Sequence, residues 1–390
     1  MLCLMTAPMD AKPGRIVLTR PSIGEAEEQA VLAALRDSHL GGNDEIGRRV
    51  QRQLAEMCSV HRALLTPSAT AAMEMALLAC EIGPGDEVLM PSFAFVSQAN
   101  AIMARGATPI FCDIELGTLN IDPDEVERRA GEGARMVMPV HYAGISCDMD
   151  RIGQIVKERG MLLVEDAAQA IGSTWRGKPL GTIGDAGCIS FHVTKNLICG
   201  EGGAFLTNDP ELARKAEIIQ EKGTNRTAFL RGEIDKYTWV GPGGSYVLSD
   251  LMAALLEVQL SRLDALTQAR RVVWDIYHEG LAELETEGLL TRPVVPEGAV
   301  HNSHIYWVLA QTPELQSKVL GRLREVGVGA TFHFQPLHSS PYAREKLGEL
   351  GPLPNTQRAA ECIVRLPLHA NLGPADAERV VDETRAAFRL

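Results

Sequence analysis

The chain has 390 residues, 45% of them hydrophobic and 23% charged. That composition excludes a disordered chain, a collagen-like repeat and a disulfide miniprotein. Fifty Asp plus Glu against 38 Lys plus Arg give a net charge of -12, which argues against general nucleic-acid binding, because phosphate contacts need clustered cations.

Single cores stop growing near roughly 250–300 residues, so two domains of unequal size are expected. No uncharged apolar run reaches about 18 residues, which argues against a membrane-spanning helix. The eight cysteines (Cys3, Cys58, Cys80, Cys112, Cys147, Cys188, Cys199 and Cys362) are scattered and form no CxxC pair. They read as reduced thiols of a cytoplasmic protein, with no zinc or redox framework and no metal site. The start, MLCLMTAPMDAKPGR, lacks the positive n-region and apolar h-region of a signal peptide and reads as a frayed tail.

From about residue 60 to 206, short apolar runs alternate with helical patterns. The runs are Arg62–Thr66, Glu87–Met90, Pro109–Ile114, Met136–Val140, Met161–Glu165, Cys188–Phe191 and Ala204–Leu206. Between them, Ala71–Glu81, Ser97–Arg105 and Met149–Arg159 carry helical spacing. This predicts an α/β fold with a largely parallel sheet covered on both faces. Ligands of such sheets sit at the carboxyl ends of the strands.

Pro210–Lys222 reads as a helix. Residues 223–248 are glycine-rich and aperiodic, and a loop that long is usually functional or tied to a partner. Ser249–Leu284 reads as one or two long helices. Beyond it, strands are expected at His304–Ala310 and Gly329–Phe334, and helices at Pro313–Val326, Gln357–Val364 and Pro374–Phe388. The expected division is a large α/β domain over 15–255 and a smaller α+β domain over 256–390.

The chemistry concentrates at two strand tips. In MLLVEDAAQA, Asp166 ends a buried run and Gln169 follows three residues later. Alone, Asp166 is as readily a helix cap. In SFHVTKN, Lys195 falls where a strand gives way to a loop. A desolvated lysine there is a nucleophile toward aldehydes, although most lysines are solvated surface charges. The pair says more than either member. An aspartate can keep a pyridine nitrogen protonated while a nearby lysine holds the ring's aldehyde, which suits pyridoxal phosphate. A phosphate cup is offered by Ser68-Ala69-Thr70-Ala71, where a strand ends and a helix opens; plain N-capping is the alternative. Phe93 and Phe95 could each cover the ring or belong to the core.

These segments resemble the DegT/DnrJ/StrS family of sugar-nucleotide aminotransferases, of the pyridoxal-phosphate-dependent fold type I. The resemblance rests on TPSATAAMEMAL, GDEVLMPSFAFVSQANAI, PVHYAG, VEDAAQA, SFHVTKN and GEGGA, and spans nearly the whole chain. The stretch EKGTNRTAFLRGEIDKYTW is most similar to the WecE-type branch, which acts on TDP-4-keto-6-deoxyglucose. The resemblance implies that Lys195 holds the cofactor aldehyde and Asp166 its ring nitrogen, as catalytic residues. Gln169 would contact the ring hydroxyl, Phe95 would stack on the ring, and Thr70, Ala71 and Ser190 would hold the phosphate. It also implies a homodimer with shared active sites, glutamate as amino donor and a nucleotide-linked keto sugar as acceptor. Many members carry Gly-x-Asn-aromatic-Arg before the long helix, whose Asn reaches the partner's cofactor phosphate. Here the run is Gly243-Gly244-Ser245-Tyr246-Val247, which puts the shorter Ser245 in that role.

A diphosphate needs cations. Lys222, Arg226, Arg231 and Lys236 form the most basic loop, and His333 in TFHFQPLH is a second candidate contact. A basic run is otherwise a solvated face. Competing readings are an aminotransferase for a C3 ketone or a UDP-linked sugar, a non-transaminating pyridoxal enzyme, and a non-catalytic sugar-nucleotide binder. A dinucleotide-binding oxidoreductase is discounted, because CGEGGAF lacks the G-x-G-x-x-G spacing.

Overall fold

The computed structural model describes residues 14–390. Cys3 and most of the expected N-terminal tail lie outside them. Among the described residues there are thirteen strands: β1 (Arg62–Thr66), β2 (Glu87–Pro91), β3 (Thr108–Cys112), β4 (Ala134–Val137), β5 (Leu162–Asp166), β6 (Thr174–Trp175), β7 (Lys178–Pro179), β8 (Ala186–Ser190), β9 (Gly203–Thr207), β10 (Leu290–Thr291), β11 (Ala299–Val300), β12 (Tyr306–Ala310) and β13 (Ile363–Leu366). The helices through the first half are α1 (Glu25–Arg36), α2 (Glu45–Cys58), α3 (Ala69–Ala79), α4 (Ser97–Ala104), α5 (Pro123–Arg129) and α6 (Met149–Arg159). Then come α7 (Pro210–Gln220), α8 (Arg226–Leu230), α9 (Asp250–Ser261), α10 (Leu263–Gly280), α11 (Ala282–Thr286), α12 (Pro313–Glu325), α13 (Pro341–Leu347), α14 (Pro354–Cys362) and α15 (Pro374–Phe388).

Seven strands form the main sheet in the order β1-β9-β8-β5-β4-β2-β3. Pairing is parallel from β8 to β3, whereas β9 runs antiparallel to both β8 and β1. The sheet is therefore mostly parallel, as its continuous apolar strands predict. Alternation along the strands fills both faces: Ala63 and Leu65 point into one core with α2, α6 and α9, and Leu64 into the other with α3, α4 and α7. A second sheet, β10-β12-β13, packs with α10, α12 and α15 around Tyr277, Val319 and Val380. A further apolar cluster ties the two parts together. Phe93, Ile114 and Tyr142 from loops after the main-sheet strands meet Trp307 of β12 and Ile363 of β13.

The expected boundary at 255/256 falls inside α9, whose Leu256 and Leu260 belong to the main-sheet core. Two expected elements are corrected. Gly329–Phe334 is not a strand: only Thr331 bridges, to Arg365, and Phe334 turns into the left-handed region at φ 44°. Gln357–Val364 is split. Pro354 opens the helix earlier, and it stops at Cys362 so that Ile363 can enter β13.

Candidate active site

Asp166 ends one of two neighbouring parallel strands, and Lys195 lies in the turn that follows the other. Asp166 is the last residue of β5, paired with Cys188 of β8; Lys195 lies in the turn five residues past the end of β8. The Lys195 N–H donates to the His192 carbonyl at 2.8 Å, which closes that turn. Asp166 is 6% exposed and accepts the Ala168 N–H at 3.0 Å. Burial pushes its carboxyl up to about 6, opposed by that N–H and by the charge of Lys195. Burial likewise brings the Lys195 amine down to about 8; Asp166 pulls it up and Arg365 pushes it further down. The two groups therefore share one low-dielectric crevice.

Glu165, one residue earlier, points the other way. It is fully buried and accepts N–H bonds from Gly181 at 2.8 Å, Ile183 at 2.6 Å and Gly184 at 2.8 Å. It also meets His141 Nε2 at 2.9 Å. His141 Nδ1 accepts the Cys147 N–H at 3.2 Å, so Nε2 carries the proton and donates to Glu165. This network fixes the β5 tip from behind.

Gln169 accepts the Ala143 N–H at 2.8 Å through its side-chain oxygen. That leaves its NH2 as the group able to meet a ligand. Ala143 holds φ 59° to make this contact, a left-handed conformation that costs energy for a residue with a Cβ. Thr70 and Ala71 lie in the first turn of α3. Ser68 caps it by accepting the Ala71 N–H at 3.1 Å, and Thr70 Oγ1 bonds Ser97 Oγ at 2.7 Å. Ser190 ends β8 and accepts the His192 N–H at 3.3 Å. Gly203 lets this helix start approach the sheet, since a Cβ there would lie 2.4 Å from the Ser68 carbonyl carbon. Phe93 is core at 1% exposure, whereas Phe95 is 52% exposed, so Phe95 is the aromatic free to cover a ring.

His333 joins the same crevice. Its Nδ1 meets the Tyr142 hydroxyl at 2.6 Å, and its ring stacks on Phe334. Burial and the charges of Arg365 and Lys195 hold it well below the usual imidazole range, hence neutral. The basic loop is arranged differently. Lys222 and Arg226 pair with Glu221 at 3.7 and 3.0 Å, and Arg231 pairs with Glu217 and Glu233 at 2.8 and 2.6 Å. These three cations are thus compensated by carboxylates of their own segment, and no ion pair joins them to Asp166. Ser245 is exposed and bridges Glu221.

Asn196, His304 and Arg365 complete the wall. Asn196 Nδ2 donates to the Asn302 carbonyl at 2.8 Å, and its oxygen faces His304 Nδ1 at 2.7 Å. His304 therefore donates from Nδ1 and, deeply buried beside Lys195, stays neutral. Arg365 was missed because β13 was read as the end of a helix. An arginine inside the apolar run IVRL was the available signal.

The donor set fits pyridoxal phosphate. A buried carboxylate, a lysine of lowered pKa in the turn after the adjacent strand, an exposed aromatic and a glycine-cleared helix start meet its ring nitrogen, aldehyde, face and phosphate in turn.

Comparison with known proteins agrees. The DegT/DnrJ/EryC1/StrS aminotransferase family model matches residues 21–385. The chain is 34% identical over 373 residues to the spore coat polysaccharide biosynthesis protein SpsC of Bacillus subtilis (strain 168), covering 94% of this chain and 95% of that one. It is similar in structure to the aminotransferase TlmJ from Streptoalloteichus hindustanus, with TM-score 0.89, 34% identity and coverage of 96% and 99%. The PLP-form of the putative sugar aminotransferase Spr1654 from Streptococcus pneumoniae matches at TM-score 0.88 and 28% identity, again over 96% and 99%. The chain belongs to the DegT/DnrJ/EryC1/StrS aminotransferase family.

Proposed function

We propose that this pyridoxal-phosphate-dependent sugar aminotransferase moves an amino group from glutamate to the C4 ketone of TDP-4-keto-6-deoxyglucose. The observation that carries the chemistry is buried Asp166 at the tip of β5 beside Lys195 in the turn after the neighbouring β8. The choice of sugar and donor is supported by the likeness of the 221–239 stretch to the branch named above.

Bound pyridoxal phosphate supplies a ring that accepts the electron pair left when a C–H bond of the donor breaks. Asp166 holds the ring nitrogen's proton; a cationic partner there offsets the cost of burying the carboxylate. Lys195 Nζ, with its lowered pKa, takes the proton from the donor Cα as general base and returns it as general acid. Gln169 and Phe95 orient the ring, and Thr70, Ala71, Ser190 and the α3 amides hold the phosphate.

The active unit is a homodimer in this reading. Phe229, Leu230, Tyr237, Trp239 and Val240 stand 38–77% exposed within the 223–248 stretch, and an apolar patch of that kind marks an interaction surface. A second copy covers it, which brings Ser245 toward the partner's phosphate cup. Sedimentation should give twice the 42.3 kDa chain mass; a monomer would remove the shared site. We place the reaction in the cytoplasm, a setting supported by the seven unpaired thiols among the described residues.

The test is one incubation of the protein with pyridoxal phosphate, glutamate and TDP-4-keto-6-deoxyglucose, read by proton NMR. A new amine at C4 supports the reading, and its coupling constants give the configuration. An inert sugar, with glutamate still consuming the cofactor aldehyde, keeps the aminotransferase and overturns the choice of acceptor.

A further inference from the structure

A cavity of about 480 Å³ lies between α10 and the 292–301 segment, a size usual for small-molecule sites, roughly 300–1,000 Å³. None of Asp166, Gln169, Lys195 and Phe95 lines it. One side is apolar, with Val294, Val295 and Val300. The other is polar and unbalanced in charge. Arg292 is neutralised by Glu285 at 2.8 Å, whereas Arg271 forms no ion pair among the described residues. Burial, and then the charge of Arg292, holds His278 below the usual imidazole range. Burial and Arg271 bring His301 down to about 3. Both rings are therefore neutral, and the lining carries one surplus positive charge, on Arg271.

Donors of this wall lack acceptors. Trp274 is 5% exposed, and its indole N–H has no hydrogen-bond partner. His278 Nδ1 has none either. His301 Nδ1 accepts the Ser303 N–H at 3.2 Å, so its Nε2 carries the proton. The three rings pack together, Trp274 at 4.5 Å from His278 and 4.4 Å from His301. A buried donor left unpaired costs free energy that an accepting ligand recovers.

Residues 301–304 join this cavity to the Lys195 crevice. Helix α10 clamps their backbone: Arg271 donates to the His301 carbonyl at 2.6 Å, and Arg270 to those of Ser303 and His304 at 3.0 and 2.6 Å. The remaining carbonyl, of Asn302, accepts from Asn196 Nδ2 at 2.8 Å, one residue from Lys195. Asn302 Nδ2 in turn donates to the Gln169 and Ile171 carbonyls, both at 2.9 Å. The neighbour of cavity-lining His301 thus holds both the Lys195 turn and the Gln169 segment. With every carbonyl of the four bonded, a shift at His301 passes along to those two segments.

We propose that this cavity is an effector site for a small organic carboxylate with an apolar or aromatic body, and that its occupancy changes the grip on pyridoxal phosphate. The carboxylate pairs with Arg271 and accepts from the ring donors, and the body lies against the valines. One negative charge matches the one surplus cation; a diphosphate would bring charge that finds no partner there. Binding in the cavity is independent of the reaction proposed above, and the effect on the crevice rests only on the cofactor being pyridoxal phosphate. Linkage makes that effect reciprocal, so probe and cofactor change each other's affinity by the same factor.

Calorimetric titration of the cofactor-loaded and cofactor-free protein with 2-naphthoate tests this. The loaded protein should bind it with a Kd at or below about 1 mM. The neutral 2-naphthamide should bind at least about tenfold more weakly, and Arg271→Met should cost 2-naphthoate a similar factor while moving 2-naphthamide less than about twofold. Arg271→Lys should recover part of the loss. Val300→Trp, at an exposed position that leaves the Arg271 bonds intact, should block both probes by filling the cavity. Between loaded and cofactor-free wild type the 2-naphthoate Kd should differ at least about fivefold. No binding to wild type would overturn the proposal, as would binding that Arg271→Met and Val300→Trp both leave unchanged. Equal Kd values for the two forms would overturn the effector role. A protein that captures no pyridoxal phosphate would instead defeat the cofactor reading, and is seen when the loaded form is prepared.

Discussion

Lys195 should react as an amine of pKa about 8 rather than 10.5. At pH 7 roughly a tenth of it is then unprotonated, against about one part in 3,000 for an ordinary lysine, a gain of about 300-fold. Capture of pyridoxal phosphate by the cofactor-free protein, followed by absorbance in a stopped flow, should rise with pH and level off past about 8. The two charged neighbours act with opposite sign. Asp166 pulls the amine pKa up and Arg365 pushes it down. Asp166→Asn should therefore move the inflection to lower pH, and Arg365→Met to higher pH. An inflection that stays near 10, or one that both variants move the same way, would refute the idea of a shared low-dielectric crevice.

Asp166→Asn should abolish most turnover yet stabilise the cofactor-free chain at pH 7. The folded carboxyl has its pKa raised from 3.8 to about 6. Its contribution is thus fully present below about pH 4 and lost as pH rises through about 6, a loss of up to ~3 kcal/mol. Urea melts at pH 4 and pH 7 check this: the variant's advantage should appear only at the higher pH. Glu165→Gln should cost about 2–4 kcal/mol in the same melts, because one amide oxygen cannot serve three backbone donors and His141. Gly203→Ala should weaken pyridoxal phosphate binding at least about tenfold. Its Cβ would press on the Ser68 backbone, and the α3 start must move. Equilibrium dialysis against the cofactor reads that loss.

Where local chemistry decides structure, the sequence was a sound guide. Met149–Arg159 was anticipated to the residue because Asp148 caps it by accepting the Arg151 N–H and Gly160 ends it at φ 63°. β1 was equally plain, an apolar run bounded by polar residues. Helices α1 and α2 went unread; their apolar stripes rest on α9, some two hundred residues away in sequence. The split at Cys362 was missed for a related reason. Nothing local tells a helix to stop there, and β13 exists because β12 is present to pair with it.

The site divides along the same line. Asp166, Lys195 and the α3 start lie at strand ends that periodicity locates. The pairing of Lys222, Arg226 and Arg231 with Glu217, Glu221 and Glu233 depends on side-chain placement that composition hides. A basic loop in sequence became a neutralised one in space. Arg365, by contrast, stands 170 residues from Lys195 in sequence (365 − 195), and only the docking of β13 against the strand tips makes them neighbours.

The central claim is that Lys195 holds the cofactor. Borohydride reduction of the loaded protein, followed by digestion and mass spectrometry, should place the pyridoxyl mass on the peptide containing SFHVTKN, at Lys195. A label on another lysine, or none in a protein that still transaminates, would contradict the account.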